Sequence, residues 1–97
     1  MIIVTASLEV KKDKKGALVP IILDLIFRTK QEKGCISYEL LQSTENEYCQ
    51  TFLERWESMD DLNAHMKTEH FIKFSERTKD FFVKDLEISV YDASKIN

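Results

Sequence analysis

Ninety-seven residues hold one domain, with a core that pairing with a second copy would enlarge. A net charge of −3, with 43% hydrophobic and 32% charged residues, describes a soluble globular chain and removes the electrostatic case for nucleic-acid binding. The longest apolar run, Ala17 to Leu23, is far too short to span a bilayer, so no membrane partner is expected and the chain reads as cytoplasmic.

Residues 2–10 alternate Ile2, Val4, Ala6, Leu8 and Val10 against Ile3, Thr5, Ser7 and Glu9, the period of a strand with one face in a core. The lysines at 11, 12, 14 and 15 read as a solvated loop, and Asp13 is placed to cap the next helix. Leu18, Ile21, Ile22, Leu25 and Ile26 recur at helical spacing. Pro20 requires that helix to begin close to it or to kink, and Gly34 is its stop signal. Strands are predicted over about 35–43 and 47–57, joined as a hairpin by Ser43-Thr44-Glu45-Asn46. Ile36, Tyr38 and Leu40 share one side of the first of these.

Ser58-Met59-Asp60-Asp61 has the pattern of a capping box and opens a short helix through about Lys67. Thr68 can cap another, with Phe71, Phe74, Thr78, Phe81 and Phe82 along one face. A last strand is predicted over 86–92, with Leu86, Ile88 and Val90 alternating. The order is β-α-β-β-α(α)-β, an α+β ferredoxin-like arrangement with a four-stranded antiparallel sheet and helices on one face. It forms a single domain, residues 1–97, with a core over 2–92 and a loose tail at 93–97. Val4, Leu8, Leu25, Ile36, Leu40, Leu53 and Phe74 are its expected core residues. The sheet face away from the helices carries bulky apolar residues and needs cover, which predicts a homodimer.

The chemistry concentrates in one segment. Both histidines, His65 and His70, and the only tryptophan, Trp56, fall within fifteen consecutive positions. Phe52, Glu54 and Trp56 share one strand face. A carboxylate between two aromatics suits a pocket wall, while the plainer alternative pairs Glu54 with a cation at a sheet edge. His65, three residues after Leu62, leans toward the apolar side of its helix beside Met59 and Met66. It is either a half-buried structural histidine or a base oriented by a nearby carboxylate. His65 and His70 are five apart across a helix break, a spacing that does not stack them on one helix face, so no metal site is expected. Cys35 and Cys49 read as structural free thiols. Two glycines leave no room for a phosphate loop or a dinucleotide fingerprint, so no bound cofactor is expected.

Three patterns together, G-C-I-S-Y-E-L at 34–40, Phe52-x-Glu54-x-Trp56-Glu57-Ser58, and Leu62-x-Ala64-His65-x-x-Thr68-x-His70-Phe71, resemble the antibiotic biosynthesis monooxygenase domain. The resemblance covers residues 2 to about 91. It implies a dimeric α+β barrel whose two sheets pack through their open faces. It also implies a monooxygenase that oxidises a small quinol or phenol with O2, using neither metal nor flavin. In that frame His65 is the candidate base, and Trp56, Glu54, Phe52, His70 and Phe71 are the candidate substrate-binding residues. Haem-degrading relatives of the same fold carry an Asn-Trp-His constellation. Here Ala6 or Ser7, His65 and Ser75 occupy those places, so haem degradation is not expected. A third branch, which isomerises the phosphorylated autoinducer-2 signal, shares the H-x-x-x-x-H-[FY] segment. Oxygenase, isomerase and non-catalytic small-molecule-binding stress-response module are thus the three readings. Convergent cations in the pocket wall favour the isomerase, and an apolar wall with one imidazole favours oxygenation.

Overall fold

A computed structural model describes all of residues 1–97. Strand β1 (Ile2–Glu9) leads through a short 3-10 turn into helix α1 (Lys15–Thr29). Strands β2 (Cys35–Gln42) and β3 (Cys49–Trp56) form the hairpin, helices α2 (Met59–Met66) and α3 (Glu69–Thr78) follow, and β4 (Glu87–Asp92) closes the chain. The sheet order is β2-β3-β1-β4 with every neighbouring pair antiparallel, as the ferredoxin-like reading requires.

The alternation in the sequence decides which sheet face meets the helices. Ile2, Val4, Ala6 and Leu8 of β1 are buried, and their partners across the ladder are Trp56, Glu54, Phe52 and Gln50 of β3. Leu18, Ile22 and Leu25 of α1 and Phe74 of α3 pack onto this row. Removing a leucine such as Leu25, 2% exposed, from water contributes about 1.5–3 kcal/mol. The opposite face is open. Ile3, Thr5, Ser7, Thr51, Leu53 and Arg55 stand on it half-buried, with Ser7 Oγ and Thr51 Oγ1 bonded at 3.0 Å and Arg55 donating to Ser37 Oγ at 3.1 Å.

Several expectations need correction. Leu53 lies on the open face, because β3 alternates and Phe52 and Glu54 take the inner one. Ile36 is 51% exposed, because a register shift between Cys35 and Ser37 makes it the extra residue of a bulge. Asp13 does not cap α1. It sits inside the 3-10 turn, and the residue before α1 is Lys14, with no side-chain cap. The helix starts five residues before Pro20, so proline's missing N–H falls in its second turn. Helix α3 ends at Thr78, and Phe81 and Phe82 lie beyond it, where Phe82 bridges to Val10. Ile88 and Val90 remain exposed because β4 is an edge strand that the helices do not cover.

Candidate functional site

Two caps and one turn build the site. Ser58 Oγ accepts the Asp61 N–H at 3.2 Å and opens α2, which ends at Met66, one residue after His65. Thr68 then acts twice. Its hydroxyl donates to the His65 carbonyl at 2.7 Å, closing α2, and accepts the Phe71 N–H at 3.3 Å, opening α3. His65 thus stands in the last turn of one helix and His70 in the first turn of the next, folded toward the same point. Their ring centroids are 6.3 Å apart. The helix break does not separate the two histidines, as their five-residue spacing suggests it would; it is what brings the rings together.

The point they share is Glu32, in the turn between α1 and β2. That turn is shaped by the Glu32 N–H bonded to the Thr29 carbonyl and by Gly34 at φ 82°. A Cβ on Gly34 would overlap the Asp61 side chain, so glycine lets this turn lie against α2. Glu32 Oε2 accepts from His65 Nδ1 at 2.8 Å and from His70 Nε2 at 2.6 Å. An ionised carboxylate only accepts, so both of those nitrogens carry hydrogen. His65 is therefore the tautomer whose Nε2 holds a free lone pair. That Nε2 is buried and has no hydrogen-bond partner.

Aromatic rings surround it. The His65 ring lies 4.8 Å from Trp56, 4.9 Å from Phe71 and 5.4 Å from Tyr38, and the residue is 1% exposed. Burial pushes its pKa below the ordinary histidine value; the bond and charge of Glu32 pull it back up, and His70 pushes it down. Of its expected apolar neighbours on α2, Leu62 is buried, but Met59 and Met66 are exposed.

Glu54 does not make the sheet-edge ion pair of its plainer reading, because it is 6% exposed on an interior strand, and it is not the group that orients His65. It accepts the Trp56 indole N–H at 3.0 Å, fixing that ring beside His65. Burial raises its pKa to about 7, against the indole bond, which lowers it; the charge of Glu32 adds to the rise. Phe52 packs against Tyr38 at 5.6 Å and Phe74 at 6.0 Å, one layer away from His65. Cys35 and Cys49 are free, and burial holds the Cys35 thiol up at about 11, which suits a structural role.

Sequence reasoning missed Glu32 and Tyr38. Tyr38 was legible as a core residue by its alternation, but not as a wall of the site. Glu32 carried no signal beyond being a polar residue at a helix end. Together Glu32, His65 and His70 present three donor atoms within 4.8 Å of one another, the only cluster in the chain with the make-up of a metal site. Beside His70, between α1 and α3, runs a groove of about 360 Å³ carrying Arg28, Lys73 and Arg77. Arg28 is paired with Asp24 at 3.1 Å and Lys73 with Glu69 at 2.7 Å. No helix is long and apolar enough to cross a membrane.

The antibiotic biosynthesis monooxygenase family profile matches residues 1–77. An uncharacterised Synechocystis protein, sll1783, is 31% identical over 90 residues; the alignment takes in 93% of this chain, which spans 61% of that longer relative. The crystal structure of a Methanosarcina mazei protein superposes with a TM-score of 0.92 at 31% identity, covering 96% of this chain and 92% of that one. A Caulobacter crescentus structure described as a "putative antibiotic biosynthesis monooxygenase" gives 0.91 at 30% identity, covering 97% and 90%. With the family profile matching residues 1–77, the chain belongs to the antibiotic biosynthesis monooxygenase family.

Proposed function

We propose that this protein is a cofactor-independent monooxygenase acting on a small quinol or phenol, with His65 as its base. The observation that carries the reading is the buried His65, held at Nδ1 by Glu32 and left with a free Nε2 among Trp56, Tyr38 and Phe71. A phenolic hydroxyl placed there gives its proton to Nε2. The imidazolium that forms is stabilised through Nδ1–H by the Glu32 carboxylate. The electron-rich phenolate then reduces O2. For a quinol, one oxygen atom enters the ring and the other leaves as water, while the ring is oxidised to a hydroxyquinone. The substrate supplies the electrons, so this reaction asks of the protein only a base and an apolar, water-poor wall. Because His65 is 1% exposed, substrate entry requires a neighbour to move, and half-buried Phe71 is the ring nearest the surface.

The reading includes a homodimer in the cytoplasm. It is supported by the open sheet face bearing Ile3 and Leu53, and by two cysteines that remain free. The test is oxygen uptake with a panel of hydroquinones in the presence of a chelator, comparing the protein with His65→Gln, which keeps most of the side-chain volume. A loss of roughly two to four orders of magnitude in turnover with the fold intact is expected. A folded His65→Gln protein with full turnover would leave the reaction without its base.

A second reading, the isomerase of a small phosphorylated carbonyl compound, draws on the groove beside His70. Arg77 stands there without an ion-pair partner, next to the paired Arg28 and Lys73. It places the cations outside the aromatic wall of His65, so the wall itself favours oxygenation.

A further inference from the structure

We infer that Glu32, His65 and His70 form a chelating site for a divalent transition metal, and that metal bound there inhibits the protein. The inhibitory half rests on the proposed base role of His65; the binding half rests on geometry alone. Two imidazole nitrogens and one carboxylate oxygen match the donor set of open zinc sites, which add water as a fourth ligand. The three atoms lie within 4.8 Å of one another, and both ring nitrogens already point at one spot, the place now held by Glu32 Oε2. A tetrahedral ion with bonds of about 2.0–2.1 Å spaces its ligand atoms about 3.4 Å apart. The two Glu32 contacts, 2.8 and 2.6 Å, therefore open by less than an ångström as the ion takes the oxygen's place, while the two ring nitrogens, within 4.8 Å of one another, close by up to about 1.4 Å.

Two features make the site usable. The Glu32 and His70 side chains are 13% and 21% exposed, and His70 opens onto the groove between α1 and α3, which gives an ion a way in. The charges facing that route are mixed: Arg28 and Lys73 are offset by Asp24 and Glu69, leaving Arg77 alone. His65 is gripped by Trp56, Tyr38 and Phe71, so its ring is already oriented before an ion arrives.

The consequence for function follows from the imidazole itself. A neutral ring has one hydrogen and one lone pair. With Glu32 as partner the hydrogen is on Nδ1 and Nε2 accepts. With a metal on Nδ1 the hydrogen moves to Nε2, which becomes a donor and can no longer take a proton from substrate. The ion removes the base while leaving the rings of Trp56, Tyr38 and Phe71 in place.

The experiment uses tag-free protein stripped with a chelator. Co2+ is followed by its visible absorption and Zn2+ by calorimetry, for the wild type, His70→Ala and Glu32→Gln, with circular dichroism and melting temperature recorded on each. One ion per chain at micromolar concentration is expected, with four-coordinate Co2+ bands. Affinity should fall at least tenfold in each folded variant. Absence of binding below millimolar, or equal binding by a folded His70→Ala protein, overturns the site. In the oxygen-uptake assay Zn2+ should inhibit with the midpoint seen by calorimetry, and chelator should reverse it. Activation by the bound ion would instead overturn the inhibitory half. A wild type that consumes no oxygen with any hydroquinone would count against the oxygenase reading, while the Co2+ and Zn2+ titrations would still decide the site.

Discussion

Replacing Glu32 with glutamine isolates the carboxylate that holds both histidines. Glu32 accepts two bonds, at 2.8 and 2.6 Å, on a side chain only 13% exposed, so solvent screens them little. A hydrogen bond to a charged group is worth about 1.5–3 kcal/mol, against about 0.5–1.5 kcal/mol between neutral groups. Both histidines bond the same oxygen, Oε2, so a glutamine with its carbonyl oxygen at that position keeps both contacts, each weakened from a charged to a neutral hydrogen bond. The expected cost is about 1–3 kcal/mol of stability. If turnover depends on the His65 imidazolium, the lost charge stabilisation is similar in size, which lowers turnover about 10–100-fold at 1.4 kcal/mol per factor of ten. A readout that needs no substrate is the His65 titration by NMR, recorded with chelator present. Glu32 raises the His65 pKa against the effect of burial, so Glu32→Gln should move it further below its ordinary value. An unmoved His65 titration together with unchanged turnover would refute the coupling described for these residues.

Glu54 makes a prediction about pH. Its carboxylate titrates near 7 in the fold and at the ordinary 4.5 when unfolded, so the folded state binds the extra proton between those values. Its contribution to stability is complete below about pH 4.5 and is lost as pH rises through about 7, amounting to up to about 3 kcal/mol. Chemical denaturation of Glu54→Gln from pH 5 to 8 should show that decline flattened; an unchanged pH dependence would count against a buried, protonatable Glu54. Phe71→Ala should cost about 2 kcal/mol, less than a fully buried ring would, and should raise the His65 pKa by letting water reach it. NMR titration checks the direction, and a fall would contradict burial as its main cause. Leu53→Glu places a charge on the open sheet face, and sedimentation at micromolar concentration should show a dimer for the parent chain and a monomer for the variant. A monomeric parent would remove the proposed barrel.

The fold was legible because its signals are short-range and periodic. The alternation of Ile2 through Val10 named the buried face of β1 residue by residue, and Ser58 and Thr68 marked both helix starts by cap chemistry that the structure repeats. Ile36 escaped because a bulge shifts the alternation by one, and no residue type announces it. The site was half legible. Trp56, His65, His70 and Phe71 sit close in sequence and close in space. Glu32 lies 33 residues from His65 and reaches it only through the α1–β2 turn, a long-range meeting that local pattern does not encode. Glu54 was singled out correctly as an oddity on a core face, but its partner is the indole two residues on along its own strand.

The double cap at Thr68 turns the distance between the two histidines into a setting that length alone controls. Inserting one residue between Thr68 and His70 would leave both helices their cap while rotating His70 by about 100° around the axis of α3. His70 would swing away from Glu32, and His65 would keep the carboxylate to itself. The pair would be uncoupled with every chemical group still present, so the phase of one helix relative to another, rather than the identity of any side chain, sets whether this chain holds one imidazole or two over a shared charge.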